Sequence, residues 1–443
     1  MKLNYLFSSA KTFLHYIFLL KKYNKKNSTQ KEQMLFKELK NQIEFAWEHI
    51  PFYRNHWQKH NFSPDKFQSF EDMKLIPIIN KNTVREHLEE MVNPNYPKSR
   101  LTLVTTGGTT GMPMKFYIDN YFARGKEMAF QIQGSWTYWK YRFFINKVAI
   151  IRGFSVDKKY IDNNIYWQKS NRDNGLVFSS FHLNKDTYKT YLDKLRSFKP
   201  KYIKAYPSSI VALCILMKQN NDYGIKGLKA VICSSENIYD SHRDLIKEVL
   251  GVEIYSFYGH SEKSVSAFQN KDIMEFQPLY GYTEFLDANN EAVSQKGEMA
   301  NIICTSLNNK YFPFIRYNTN DIIEVADAQN KTAKRILGRA QEFIVDKDGT
   351  KVLFTCADEI FWEEEGITAY QYVQNEVGKI SINIETDSKF ASDTLDRIRF
   401  SAKEMFSNFD IEIINVPKIE KTKAGKFRYL IQNLKIEFQT NFF

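Results

Sequence analysis

Cysteine is scarce in this chain. Four residues, Cys214, Cys233, Cys304 and Cys356, are spread over 443 positions with no CxxC spacing. That excludes a disulfide framework, and their settings in apolar runs such as Val231-Ile232-Cys233 and Ile302-Ile303-Cys304 predict reduced, buried thiols of a cytoplasmic protein. Long apolar runs are missing too. The most apolar stretch near the N-terminus, residues 13–20, contains His15 and is too short to span a bilayer. The lysine-rich segment that follows has no small-residue cleavage site, which argues against a secretory signal. Residues 13–20 are expected to form a helix docked on the protein body, with a weak peripheral contact at the inner face of the membrane as the alternative. Zinc-finger, RRM-like and KH-like signatures are absent, so nucleic acid is not an expected partner.

What is present is an ordinary globular composition, 43% hydrophobic and 26% charged. The length predicts at least two domains. With 62 Lys and Arg against 51 Asp and Glu, the net charge of +11 favours anionic partners such as phosphates, nucleotides or anionic lipids. Beyond one cluster at residues 21–26 the lysines are scattered, which reads as a diffuse, solvated basic surface.

Helical spacing of Leu35, Leu39, Ile43 and Trp47 before Pro51 makes residues 1–100 a mainly helical opening. Two strands, at 101–104 and 114–118, then flank a Thr/Gly loop. From residue 147, strands at 147–151, 202–205, 230–233 and 252–257 alternate with helices at 185–198, after Pro207, and at 240–250 before Gly251. That alternation predicts parallel sheet in an α/β domain; the helix after Pro207 is expected to be capped by Ser208 or Ser209. Strands dominate beyond about residue 281, and a last unit pairs a helix at 392–406 with a strand at 411–416. A boundary near residues 337–342 leaves a C-terminal α+β domain of about a hundred residues.

Five segments carry chemistry in a fixed order. Thr105-Thr106-Gly107-Gly108-Thr109-Thr110-Gly111-Met112-Pro113 offers amide and hydroxyl donors on a backbone that can approach phosphate oxygens. It is not a Walker A loop, since no Gly-Lys-Ser/Thr follows at the required spacing. Tyr258-Gly259-His260-Ser261-Glu262 puts an aromatic ring and a carboxylate at the end of a strand, suited to base stacking and Mg²⁺. Then come residues 314–321 ending in Asp321, residues 336–344 containing Gly338 and Arg339, and residues 421–428 containing Lys426. Each segment alone is weak evidence, and an ordinary loop explains any one of them.

In this order the segments resemble the adenylate-forming superfamily of acyl- and aryl-CoA ligases, in its phenylacetate-CoA ligase-like and CapK-like branch. The resemblance spans roughly residues 101–430. It implies a large N-terminal adenylation domain with mixed α/β sheets, residues 1–337, and a small α+β C-terminal lid domain, residues 338–443. It also implies an enzyme that uses ATP and Mg²⁺ to turn a carboxylic acid into its acyl-adenylate. Thr105, Thr106, Gly107, Gly108, Thr109, Thr110 and Gly111 would hold the phosphates, and Glu262 the Mg²⁺. Ser235, Glu236, Tyr258, Gly259, Asp321 and Arg339 would surround adenine and ribose, and Lys426 would be the catalytic lysine.

CoA, an amine or a glycan hydroxyl remain open as acyl acceptors, and a role in capsular or surface polysaccharide synthesis rests on the CapK likeness. Residues 263–280 contain neither Cys nor His, so no zinc is expected. The chain departs from the family pattern at Gly107, at Asn320 where a glycine is usual before Asp321, and at Glu342 in the hinge. These departures keep a second reading open, a nucleotide-binding scaffold or sensor of the same fold. Asn320 is compatible with the pattern if its position needs a left-handed backbone, which asparagine tolerates better than most residues.

Overall fold

The computed structural model describes residues 2–105, 114–119, 122–171, 173–339, 343–354, 359–362, 364–420, 427–434 and 436. The chain forms two compact units, one built mainly from Met1–Arg142 and Phe257–Ile336, the other from Phe143–Ser256 and Leu337–Phe438.

The first unit begins with helices Lys2–Asn24, Ser28–His49 and Pro51–Lys59. The break between the last two falls where Pro51, which lacks an amide hydrogen, can only start a helix. Leu39, Ile43, Tyr53 and Trp57 are fully buried in a core shared with Phe116, Phe285, Ile302 and Tyr317. Strands Leu101–Thr105 and Lys115–Asp119 pair antiparallel, Thr105 opposite Lys115, within a residue of the strands expected at 101–104 and 114–118.

The principal sheet of this unit runs in the order Gly281–Leu286, Met299–Ser306, Tyr317–Asp327, Thr332–Arg339, Ile273–Phe276, Ser266–Asn270, and then the end of Glu253–Gly259. Gly281 is required by packing. A Cβ there would lie 1.9 Å from the Ser264 carbonyl oxygen. A helix the sequence pattern did not reveal, Phe122–Trp139, has its own close approaches: a Cβ on Gly125 would meet Ser9 O at 2.5 Å, and one on Gly134 the Phe268 ring at 2.3 Å. The N-terminal helix docks against it through Tyr16 and Leu20, which pack with Phe130, Leu279 and Tyr280.

In the second unit, strands Ala230–Ser234, Tyr202–Ala205, Val148–Arg152 and Gly175–Ser179 lie parallel, with Trp167–Lys169 antiparallel at the edge. Helices Tyr188–Phe198, Pro207–Gln219 and Asp240–Leu250 cover them. Gly251, at φ 68°, ends the last of these in the left-handed region. The expected cap of the Pro207–Gln219 helix is corrected. Its N-cap is Tyr206, and no hydroxyl from Ser208 or Ser209 caps it.

The same unit carries a second sheet, Asp410–Asn415, Lys379–Thr386, Ile367–Gln374 and Leu430–Gln432, with helix Ser392–Met405 packed on it around Ile380, Ile382, Ile398 and Tyr372. Cys214, Cys233 and Cys304 are buried free thiols, as expected; Cys356 lies outside the described residues.

Candidate nucleotide site

The first unit gathers residues from two of the five segments, with Met114 just past a third, around the strand Tyr317–Asp327. Its position is fixed from the helical opening: the buried Tyr53 hydroxyl donates to Pro313 O at 2.6 Å and accepts from Ile315 N at 3.1 Å. Arg316, held at φ 50°, spends its guanidinium on structure. It meets Glu284 at 3.1 Å and donates to the carbonyls of Ile76 at 2.7 Å and Lys74 at 3.2 Å. The next residues are thereby fixed in register.

Along this strand the pairing with Met299–Ser306 is interrupted: Asn318 faces Ile303 and Ile322 faces Asn301, so Thr319, Asn320 and Asp321 oppose Ile302 alone. Asn320 sits at φ 61°, the left-handed conformation at which the expected glycine would be at ease. The Thr319 hydroxyl donates to Ile302 O at 2.9 Å and accepts from Asp321 N at 3.1 Å, which satisfies the backbone groups the bulge releases. The bulge aims Asp321 at Tyr258, whose hydroxyl donates to Asp321 Oδ2 at 2.7 Å. Burial first, and the Asp321 charge second, push the Tyr258 phenol far above its ordinary range, so it stays a donor. Its ring lies edge-on to Phe276 at 6.1 Å. Gly259 follows, exposed at the end of its strand.

Glu262 is only 5% exposed. Its Oε1 accepts from the Tyr317 hydroxyl at 3.2 Å, and its Oε2 lies 3.0 Å from His260 Nδ1. Burial is the largest single influence and would raise its pKa, but His260, through charge and hydrogen bond, acts together with a backbone hydrogen bond and Lys81 to hold it down to about 2. Tyr317 Oη also approaches the Met114 sulfur at 4.0 Å. Met114 is the first described residue after the Thr/Gly loop, so the loop's exit lies one side chain away from Glu262. Thr105, at the loop's entrance, is exposed. Thr106, Gly107, Gly108, Thr109, Thr110 and Gly111 lie outside the described residues, as do Glu342 and Lys426.

Ser235, Glu236 and Arg339 belong to the second unit. Ser235 has φ 73° just past the strand Ala230–Ser234, and Glu236 Oε2 accepts from Ser208 N at 2.9 Å. A carboxylate at that point serves the start of the Pro207–Gln219 helix, where free amide groups and the helix dipole favour negative charge. Arg339 ends the strand Thr332–Arg339, directly after Gly338 at φ 92°.

Residues 344–433 match the CapK C-terminal domain family. The chain is 23% identical over 397 residues to protein CapK of Staphylococcus aureus, an alignment covering 87% of this chain and 85% of that one. It is 21% identical over 424 residues to the phenylacetate-coenzyme A ligase of Escherichia coli strain K12, covering 88% and 92%. Among solved structures, 2-hydroxyisobutyryl-CoA ligase in complex with 2-HIB-AMP shares its fold with a TM-score of 0.68 at 19% identity, over 92% of this chain and 90% of that one. Over most of its length the chain is thus similar to members of the adenylate-forming ligase superfamily, in its CapK and phenylacetate-CoA ligase-like branch.

Three residues of the site carry no signal in the sequence. Tyr317, within the 314–321 segment, and Met114, in the strand after the Thr/Gly loop, had no assigned role; only the fold reveals that they join the loop's exit to Glu262. Thr319 is the third, and its place in the bulge depends on the partner strand. Trp139 is core, its indole donating to Gln269 O at 2.9 Å, whereas Trp136 and Phe181 are exposed. Among the described residues no group of three His, Cys, Asp or Glu side chains is arranged to hold a metal ion.

Proposed function

We propose that the chain uses ATP to activate a carboxylic acid as its acyl-adenylate and then transfers the acyl group to CoA or another acceptor. The observation that carries this reading is the convergence, on one strand, of the Tyr258–Asp321 pair and of Glu262 beside the exit of the Thr/Gly loop. An aromatic ring with a carboxylate at its hydroxyl suits adenine and the two ribose hydroxyls. A carboxylate held ionised at the phosphate end suits Mg²⁺, which is commonly bound by one or two carboxylates together with substrate phosphates and water. Mg²⁺ there would neutralise the charge of the phosphates.

The remaining roles follow the superfamily resemblance. Thr105, Thr106, Gly108, Thr109 and Thr110 surround the phosphates, with Gly107 and Gly111 giving the backbone room. Ser235, Glu236 and Gly259 line the adenine side, and Arg339 donates to ribose or phosphate. An oxygen of the substrate carboxylate attacks the α-phosphorus, the bond to pyrophosphate breaks, and Lys426 spans carboxylate and α-phosphate to stabilise the charge that develops between them. Residues from 338 onward form the lid that carries this lysine, a division supported by the CapK C-terminal domain match. ATP as co-substrate and three buried free thiols support a cytoplasmic site of action.

CoA as acceptor is supported by the CoA ligases among the relatives; an amine or glycan hydroxyl in surface-polysaccharide synthesis is supported by the CapK name. The scaffold reading loses one of its grounds, since Asn320 adopts the backbone that a glycine would. Carboxylate-dependent ATP/pyrophosphate exchange across an acid panel is the test. Exchange with a subset of acids is expected, and Lys426→Ala should lower it by roughly 100-fold or more while calorimetric ATP binding persists. ATP binding with no exchange for any acid would overturn the enzyme in favour of the scaffold.

A further inference from the structure

One stretch of the chain carries positive charge with no acidic residue to balance it. Residues 1–31 hold seven lysines and no acidic residue, against a net charge of +11 for all 443 residues. Most of this segment is the helix Lys2–Asn24, which has two unlike faces. The inner face is part of the protein: Tyr16 and Leu20 are buried, and the Lys126 ammonium lies 4.6 Å from the Tyr16 ring centroid. The first two carboxylates in the sequence, Glu32 and Glu38, act on Tyr23 and Tyr16 of that inner side.

The outer face carries Lys11, Leu14, Phe18, Lys21, Lys22 and Lys25, all exposed and following one another at helical spacing. Phe18 is 66% and Leu14 53% exposed, two large apolar side chains that find no partner in the core. Lys21 arches over the Phe18 ring at 5.9 Å, its stem covering apolar surface while the ammonium stays in solvent.

We propose that this outer face is a docking surface for an anionic lipid bilayer, with the helix lying in the interface, Leu14 and Phe18 inserted at the acyl boundary and the lysines on headgroup phosphates. An apolar centre with basic flanks is what an interfacial helix presents to such a membrane. No described helix is long and apolar enough to cross a membrane, so the helix lies on the surface and does not span it. A second copy of the chain is disfavoured as occupant, because it would bring two lysine clusters together. Nucleic acid would leave the aliphatic Leu14 unused. The contact does not depend on adenylation and is tested without it.

The test is vesicle sedimentation of the full chain at low salt, with phosphatidylcholine alone or containing about 30% phosphatidylglycerol. Binding is expected only to the anionic vesicles and is expected to fade between about 0.05 and 0.5 M salt. Lys21→Gln/Lys22→Gln/Lys25→Gln should bind roughly 100-fold more weakly. Leu14→Glu/Phe18→Glu should abolish binding with the unfolding midpoint unchanged, since both positions face solvent. Equal binding to neutral vesicles, retained binding by either variant, or no wild-type binding would overturn the proposal. So would a self-association of the chain that Leu14→Glu/Phe18→Glu removes.

Discussion

Glu262 and Lys126 are both buried ionisable groups, and their environments act on stability in opposite directions. For Glu262 the folded pKa is about 2 against an ordinary 4.5, because His260, a backbone hydrogen bond and Lys81 together overcome the effect of burial. Its charge therefore stabilises the fold above about pH 4.5, and that contribution, of order 3 kcal/mol, is lost as pH falls toward 2. In Glu262→Gln the loss between pH 5 and pH 3 should be visibly smaller than in wild type, measured by urea unfolding at each pH. Lys126 is 1% exposed, donating to Leu307 O at 2.7 Å, and burial pushes its ammonium down to about 7 although Glu38 pulls the other way. Below pH 7 the full cost of burying the charge is present; it is relieved as pH rises toward the unfolded value of 10.5. Wild type should therefore gain stability from pH 7 to pH 9 at up to about 1.4 kcal/mol per pH unit, and Lys126→Met should lack that gain. Neither shift was legible in the sequence. His260 stands two residues from Glu262, but their contact depends on the turn between them, and Lys126 looks like any surface lysine until Tyr16 and Phe130 close over it.

At the scale of the element, Asn320 shows how a local backbone choice reaches the site. Its left-handed φ of 61° lets three residues oppose one and turns Asp321 toward Tyr258. Asn320→Gly should be tolerated with little change. Asn320→Val should cost about 1–2 kcal/mol, since a β-branched side chain resists that conformation, and should weaken ATP binding through Asp321. Calorimetry and unfolding on the two variants separate these effects. If the valine variant binds ATP as wild type does, the bulge does not aim the carboxylate. Alternating strands and helices between residues 147 and 257, and the helix at 240–250 before Gly251, were readable because hydrophobic period and stop signals agree. Helix Phe122–Trp139 was not: Gly125 and Gly134 look like breakers, and a buried lysine blurs its apolar face. The glycines are there because Ser9 and Phe268 come too close for a side chain, a reason only the fold supplies. Likewise Glu236 caps a helix that begins 29 residues earlier in the chain, at Pro207, so no local signal marks it as the cap.

Across the whole chain, the N-terminal helix joins two properties that the sequence presents as rivals. Docking on the body and meeting a membrane were alternatives for residues 13–20, yet the two faces of one helix accommodate both. This determines which experiment separates them. Deleting residues 2–24 would remove Leu14 and Phe18, but it would also uncover Phe130, Leu279, Tyr280 and Lys126. Losing the burial of Tyr16 and Leu20 alone should cost about 3–6 kcal/mol by transfer of their side chains to water, an upper estimate because an unfolded chain already buries part of that surface. The truncated protein is therefore expected to unfold at lower urea and to aggregate through the exposed aromatic patch, whatever its behaviour toward lipid. Tyr16→Ala should show the loss of stability without loss of vesicle binding, and Leu14→Glu/Phe18→Glu the reverse. If Tyr16→Ala leaves the urea midpoint of the full chain unchanged, the helix is not part of the folded body, and its outer face would then be free to leave the protein.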